Sequence, residues 1–216
     1  MVADTGRHAM MACLPPGCVG AEVGVFKGVF SRRLYDIARP ETLYLIDAWD
    51  RFPRSMYDDP TCDPDSQGDP VGWLNNTMHL MAPEIASGRV RIARSGSVPA
   101  LATLRGQLDW VYIDANHRFG MVVADYEYAS HALRGYGVLA GHDYIDCVGQ
   151  GRGTMQGRMA IDAWLAANPL WERCAIVDTT YPHPPELPSV ALIRRDAPAD
   201  SVAGRFRAAV AERKPR

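Results

Sequence analysis

The sequence predicts an α/β fold with an open, mostly parallel sheet of seven strands that ends in an antiparallel hairpin. Short apolar runs alternate with longer amphipathic ones from about residue 20 to residue 178, the pattern of β-α units that build a parallel sheet. A turn punctuated by glycine, Gly24-Val-Phe-Lys-Gly28, follows the first apolar run. The last two apolar runs are joined by Thr179-Thr-Tyr-Pro-His-Pro-Pro-Glu-Leu-Pro188, which is too polar and proline-rich for a crossover helix, so they should pair as an antiparallel hairpin.

The predicted strands are Gly20–Phe26, Thr42–Ala48, Val90–Arg94, Leu108–Ala115, Gly137–His142, Arg173–Asp178 and Ser189–Arg194. Helices are expected over Ser31–Ala38 behind an N-cap serine, within Val71–Ala86, near Val98–Leu104, over Arg118–Leu133 and over Arg158–Ala167. Two long connections, Asp50–Pro70 and Asp146–Gly157, have the length of lids rather than plain connectors. The first is acidic and is flanked by Trp49, Phe52, Tyr57 and Trp73, which could stack on a ring-shaped substrate or pack the loop. The second carries Gly149, Gly151, Gly153 and Gly157, which suit a gate as well as a surface connector. The chain reads as one domain over 1–216, with an extension at 1–19 and a tail at 197–216 that invite only a guess of subunit contacts or fraying.

Hydrophobic residues at 47% and charged ones at 22% give a soluble globular balance, with no apolar run near the ~20 residues of a spanning helix. A cytoplasmic protein without membrane partners is expected. The net charge of -2 lacks the basic footprint of a nucleic-acid binder, so the partner should be a small molecule or oligosaccharide. Cys13, Cys18, Cys62, Cys147 and Cys174 are odd in number and scattered, which points to free thiols rather than disulfides or a zinc site.

Gly24 and Gly28 at a strand-to-helix turn let a ligand approach the backbone, and the following helix offers unpaired N–H groups to a carboxylate. Any tight turn uses glycine, so the pair alone is weak. Asp47 sharpens it, because it ends the second strand 23 residues after Gly24, near the ~20-residue offset at which an acid accepts ribose hydroxyls. Together they imply a nucleoside cofactor. An NAD(P)-dependent oxidoreductase shares this geometry, but the turn lacks the third glycine of G-x-G-x-x-G and the terminal hairpin breaks the all-parallel pattern, so S-adenosylmethionine is preferred.

Glu22-Val-Gly-Val-Phe-Lys-Gly28, Tyr44-Leu-Ile-Asp47, Trp110-Val-Tyr-Ile-Asp-Ala-Asn-His117 and Gly137-Val-Leu-Ala-Gly-His-Asp-Tyr144 stand in the order and spacing of class I methyltransferases. Over about residues 20–194 the chain resembles that family, with its Rossmann-like sheet, and in particular small O-methyltransferases similar to macrocin and other sugar O-methyltransferases. The resemblance implies that Glu22, Gly24 and Gly28 line the methionine end of S-adenosylmethionine. Asp47 would then hold the ribose, and Ser95 or Ser97 would sit near the adenine. It also implies a homodimer.

Ligands of an open α/β sheet lie beyond the carboxyl ends of its strands, which selects Asp114, His117, His142, Asp143 and Tyr144. A sugar hydroxyl is far less acidic than a phenol, so its methylation requires a general base, and histidine has the pKa for that work near neutrality. His142 is expected as base, with Asp143 or Asp114 orienting it and with His117 and Tyr144 on the substrate side. Asp114 could equally be the N-cap of the helix that follows. Related metal-dependent enzymes hold Mg²⁺ through an Asp at the position of Asp114 and a carboxylate pair at that of His142-Asp143. Here a histidine replaces the first carboxylate, which weakens an oxygen-only site and leaves Asp114 and Asp143 as ligands if a metal is used. Three alternatives stay open: a Mg-dependent O-methyltransferase of a catechol or other small natural product, an NAD(P)-dependent oxidoreductase, and a non-catalytic cofactor-binding module.

Overall fold

A computed structural model describes residues 6–49, 69–148, 154–177 and 187–213. In chain order the elements are α1 (Gly6–Met11), β1 (Val19–Val23), α2 (Val29–Ala38), β2 (Thr42–Asp47), α3 (Pro70–Leu80), α4 (Ala82–Ala86), β3 (Val90–Arg94) and α5 (Ser97–Thr103). Then follow β4 (Leu108–Ile113), α6 (Phe119–Ala132), β5 (Leu133–Gly141), β6 (Asp146–Val148), β7 (Thr154–Gln156), α7 (Gly157–Ala167), β8 (Trp171–Val177), β9 (Ser189–Arg194) and α8 (Val202–Arg213).

The main sheet has the order β3-β2-β1-β4-β5-β9-β8. Its first five strands are parallel, and β9 runs antiparallel to both β5 and β8, as the proline-rich connection predicted. Strand β4 is buried at all six positions, as a strand covered on both faces must be. Its alternating side chains feed two cores. Trp110 and Tyr112 pack with α1, α2 and α8, while Val111 and Ile113 pack with α5, α6 and α7. Gly20 on β1 makes room for the Trp110 indole, since a Cβ there would lie 2.0 Å from the ring. Among the described residues no helix is long and apolar enough to cross a membrane.

Several boundaries differ from expectation for local reasons. Helix α2 begins behind Gly28, whose φ of 73° makes a left-handed N-cap, and Ser31 is a buried interior residue rather than the cap. The range Val71–Ala86, within which a helix is expected, holds two helices, α3 and α4, that meet at Met81, where Pro83 in the first turn of α4 has no N–H to continue the α3 ladder. The connection Asp146–Gly157 is partly a second sheet, in which β6 and β7 pair antiparallel. Its residues 149–153, the acidic segment 50–68 with Phe52 and Tyr57, and Cys62 lie outside the described residues. Among the described residues, Cys13, Cys18, Cys147 and Cys174 form no disulfide. Helices α1 and α8 share one core: α1 buries Met10 and Met11, and α8 buries Ala203 and Phe206 in it.

Candidate active site

The carboxyl edge of the sheet carries two groups of polar residues. At the β1–β2 end the Gly24 turn is folded around Asp47. Its Oδ2 accepts the backbone N–H groups of Val25 at 2.8 Å and Phe26 at 2.9 Å, and its Oδ1 accepts that of Trp49 at 2.8 Å. Phe26 and Trp49 have φ of 55° and 45°, left-handed values that non-glycine residues adopt only when their surroundings impose them. The Trp49 indole, 1% exposed, donates to the Phe26 carbonyl at 3.0 Å, so this tryptophan braces the turn instead of facing a ligand. The Phe26 and Trp73 rings meet at a tilt, with centroids 4.4 Å apart and planes at 58°, and the Lys27 ammonium lies 4.6 Å from the Phe26 ring. Gly24, at φ 88°, is required twice over, since a Cβ would meet the Asp114 carbonyl oxygen at 1.9 Å.

Glu22, one residue pair below that turn, is 1% exposed, and its Oε2 has no hydrogen-bond partner among the described residues. Burial pushes its carboxyl up to about 8; the Ser31 hydroxyl and Arg7 pull against this, while Asp114 and Asp47 add to it.

At the β4–β5 end the side chains of Asp114, His117, His142, Asp143 and Ser189 converge. Asp114 directly follows β4, with its N–H on the Val23 carbonyl at 2.7 Å, and His142 directly follows β5, with its N–H on the Ile113 carbonyl at 2.9 Å. The parallel pairing of β1, β4 and β5 thus sets the spacing of the two residues. Asp143 takes φ 55°, a conformation aspartate tolerates better than most residues, and lies between two imidazoles. His117 Nε2 is 3.3 Å from its Oδ2, and His142 Nδ1 is 3.6 Å from its Oδ1. The Ser189 hydroxyl, from the start of β9, lies 3.3 Å from the same His142 Nδ1. Burial raises the Asp143 carboxyl and Asp114 adds to it, against the influence of His142, His117 and Arg7.

Asp114, His117 and Asp143 each present one donor atom, all within 4.8 Å of one another, so a divalent cation fits between them. Two carboxylates and an imidazole favour a transition ion such as Mn²⁺ over Mg²⁺, which prefers oxygen ligands alone. His117 is the member of this set that the sequence did not assign to a metal.

The structure thus brings together Asp114, His117, His142 and Asp143, and it sets Glu22, Gly24, Gly28 and Asp47 along the neighbouring strand ends. Ser95 lies beside Asp47 and donates its N–H to the Asp47 carbonyl at 2.9 Å. Ser97 is turned inward, its hydroxyl hydrogen-bonded to Asp125, a buried acid on α6 that burial pushes up to about 6. Tyr144 is turned away from the cluster, because the left-handed backbone at Asp143 swings its side chain into the opposite core. Its hydroxyl lies 2.6 Å from Asp162 and 2.5 Å from Arg173. Asp114 is not the cap of α6, which starts five residues later behind Arg118. That start is held instead by Asn116, which accepts the Arg118 N–H at 2.9 Å, and by Gln156, which accepts the Phe119 N–H at 3.0 Å.

Ser189 and Arg7 escaped sequence reasoning. Ser189 had only its place at the start of the last predicted strand to mark it. Arg7 had the apolar run that follows it, Ala9–Leu14, as a sign of a buried helix.

A parallel sheet with one reversed strand, a glycine turn wrapped on an acid and a basic-acidic cluster two strands away define the Rossmann-like fold of methyltransferases. Residues 21–144 match the family described as a methyltransferase domain, and the chain belongs to that family. No curated protein sequence matches it. Among solved structures it is similar to the O-methyltransferase TomG of Streptomyces achromogenes, involved in tomaymycin synthesis and crystallised with S-adenosylmethionine. The TM-score is 0.62 at 17% identity, over 88% of this chain and 78% of TomG. It is also similar to an O-methyltransferase from Bacillus cereus in complex with S-adenosylhomocysteine, with TM-score 0.60 and 13% identity over 88% and 78% of the two chains. An rRNA methylase from Streptococcus thermophilus gives 0.55 and 9% over 87% and 93%. At these identities the likeness concerns the fold alone.

Proposed function

We propose that the protein is an S-adenosylmethionine-dependent O-methyltransferase that acts on a saccharide hydroxyl with His142 as general base. The observation that carries the mechanism is the setting of His142 on the edge of the sheet, with Nδ1 held between Ser189 and Asp143. A carboxylate facing Nδ1 favours the tautomer protonated there, which makes Nε2 the proton-accepting atom. When bound, the sulfonium cofactor supplies an electrophilic methyl carbon for an in-line displacement. Glu22, Gly24, Gly28 and Asp47 hold it at the turn, with Glu22 facing a positive charge and Asp47 keeping residual acceptor capacity for ribose. His142 would take the acceptor proton at Nε2 as the acceptor oxygen receives the methyl group that the bound cofactor would supply. The Phe26–Trp73 pair beside the turn offers an aromatic face to a sugar ring or to an aromatic acceptor. The motif order, resembling sugar O-methyltransferases, favours the first. The strand-end motifs also resemble those of the mycobacterial 1-O-methyltransferase of methylmannose polysaccharide synthesis, which makes an anomeric hydroxyl the candidate position on the sugar.

A second reading is favoured by the Asp114, His117 and Asp143 triad. In it these residues hold a divalent ion that polarises the acceptor oxygen, as in the catechol type of O-methyltransferase. One experiment separates the two. Methyl transfer to a panel of sugars and catechols is measured with and without EDTA, for the wild type and His142→Ala. Activity that survives EDTA and is lost in the variant supports the histidine-base reading. Activity lost with EDTA and kept in the variant supports the metal reading. Thermal stabilisation by NADH and not by S-adenosylhomocysteine would overturn both.

A further inference from the structure

The strand-end cluster places two carboxylates, Asp114 after β4 and Asp143 after β5, with donor atoms within 4.8 Å of each other, and Glu22 lies on the neighbouring β1. A cation reaches them from the N-terminal helix α1. Arg7 of α1 places a guanidinium nitrogen 3.4 Å from Asp114 Oδ2. The central carbon of the guanidinium lies over the Phe30 ring, 4.3 Å from its centre, with the side chain 22% exposed.

Arg7 is not carried on a loose arm. Met10 and Met11 are buried at 2% and 1%, His8 packs 5.5 Å from the same Phe30 ring, and Arg213 of α8 donates to the Ala9 carbonyl at 3.3 Å. Helix α1 therefore delivers the guanidinium to a fixed place over Asp114. That carboxylate is also one corner of the Asp114, His117 and Asp143 triad. A divalent ion seated in the triad would draw on the same carboxylate charge and would lie beside a fixed positive group of like sign.

We propose that Arg7 is a tethered counter-ion which occupies the charge of Asp114 and competes with a divalent cation for the strand-end cluster. The proposal rests on the reading of that cluster as the acceptor site. Arg7 is a positioning residue that acts through Asp114: with α1 docked, the carboxylates are balanced by the protein's own cation, and a metal ion enters only by displacing it.

The test is a titration of the full chain with Mn²⁺ alone, followed by the loss of the free-ion electron paramagnetic signal and by calorimetry. Arg7→Gln should bind Mn²⁺ at least tenfold more tightly than the wild type, Arg7→Lys should bind like the wild type, and Arg7→Gln/Asp114→Asn should lose the gain. An unchanged or weaker affinity in Arg7→Gln overturns the proposal, as does a gain that survives Asp114→Asn. Arg7→Met, which keeps an apolar stem on Phe30, replaces Arg7→Gln if the latter melts early. Should neither fold, amide exchange of residues 6–11 in the wild type decides. Mn²⁺ at saturation must speed exchange of α1, and unchanged protection with the ion bound rejects competition. The titration contains no methyl donor, so failure of the methyltransferase reading shows itself separately, as absence of stabilisation by S-adenosylhomocysteine.

Discussion

The β1–β2 and β4–β5 ends of one sheet edge are built by different means. At the first, Asp47 gathers three backbone N–H groups from Val25, Phe26 and Trp49, and the turn holds two residues in left-handed backbone to do it. At the second, side chains from the ends of β4 and β5, the loop before α6, the start of β9 and helix α1 meet around Asp143 and Asp114. A backbone-built site tolerates few changes of shape and many of side chain, whereas a side-chain-built site does the reverse. The first end suits a constant cofactor and the second suits a varying acceptor.

The largest expected effect lies where the two ends touch. Gly24→Ala puts a Cβ 1.9 Å from the Asp114 carbonyl at a φ of 88°, so the turn and the end of β4 must separate. Loss of S-adenosylhomocysteine binding by calorimetry is expected, with destabilisation of about 3 kcal/mol or more. Full binding in this variant would break the account of the first end.

His142→Ala should lower kcat by about 10²–10⁴, the range of a general base, while S-adenosylhomocysteine affinity stays within about twofold. Equal losses in both would mean that the two ends are one unit.

Glu22 predicts a pH effect on stability. Its carboxyl, pushed up to about 8 from an ordinary 4.5, binds a proton more tightly in the folded than in the unfolded chain. The stability this gives is complete below about pH 4.5 and is lost as pH rises through about 8, a change on the order of a few kcal/mol. Glu22→Gln should flatten that slope, gaining Tm over the wild type at pH 9 but not at pH 5 in thermal melts. Parallel curves would reject the assignment.

Ser189→Ala should have the smallest effect, about three- to tenfold in kcat, because it frees one contact of His142 Nδ1 and leaves Asp143 beside it. An unchanged pH profile of kcat in this variant would remove Ser189 from the positioning of the base.

What could be read beforehand followed from local pattern. Strand periodicity gave Val90–Arg94 and Ser189–Arg194 with their observed limits, and the proline-rich connection gave the reversed β9. Gly24 and Asp47 were legible because a strand end and a fixed offset place them, and Asp114 and His142 because each follows its strand directly. The opposite was true of Tyr144. Its neighbours in sequence made it a substrate residue, yet the left-handed backbone at Asp143 sends its hydroxyl to Asp162 and Arg173. The glycine cap of α2 was misread as a serine cap because positive φ acts at a single residue, below the reach of periodicity.

The sequence by itself determined the layers of this protein, the strand that runs backwards and the strand ends at which chemistry is possible, because apolar period and turn residues act on near neighbours. The tertiary structure alone decided that His117 joins Asp114 and Asp143, that Ser189 holds His142 and that Arg7 reaches Asp114 across 107 positions of chain. Those contacts depend on how helices and strands settle on one another, and no periodicity encodes which side chain the packing of α1 against the sheet will bring to the end of β4.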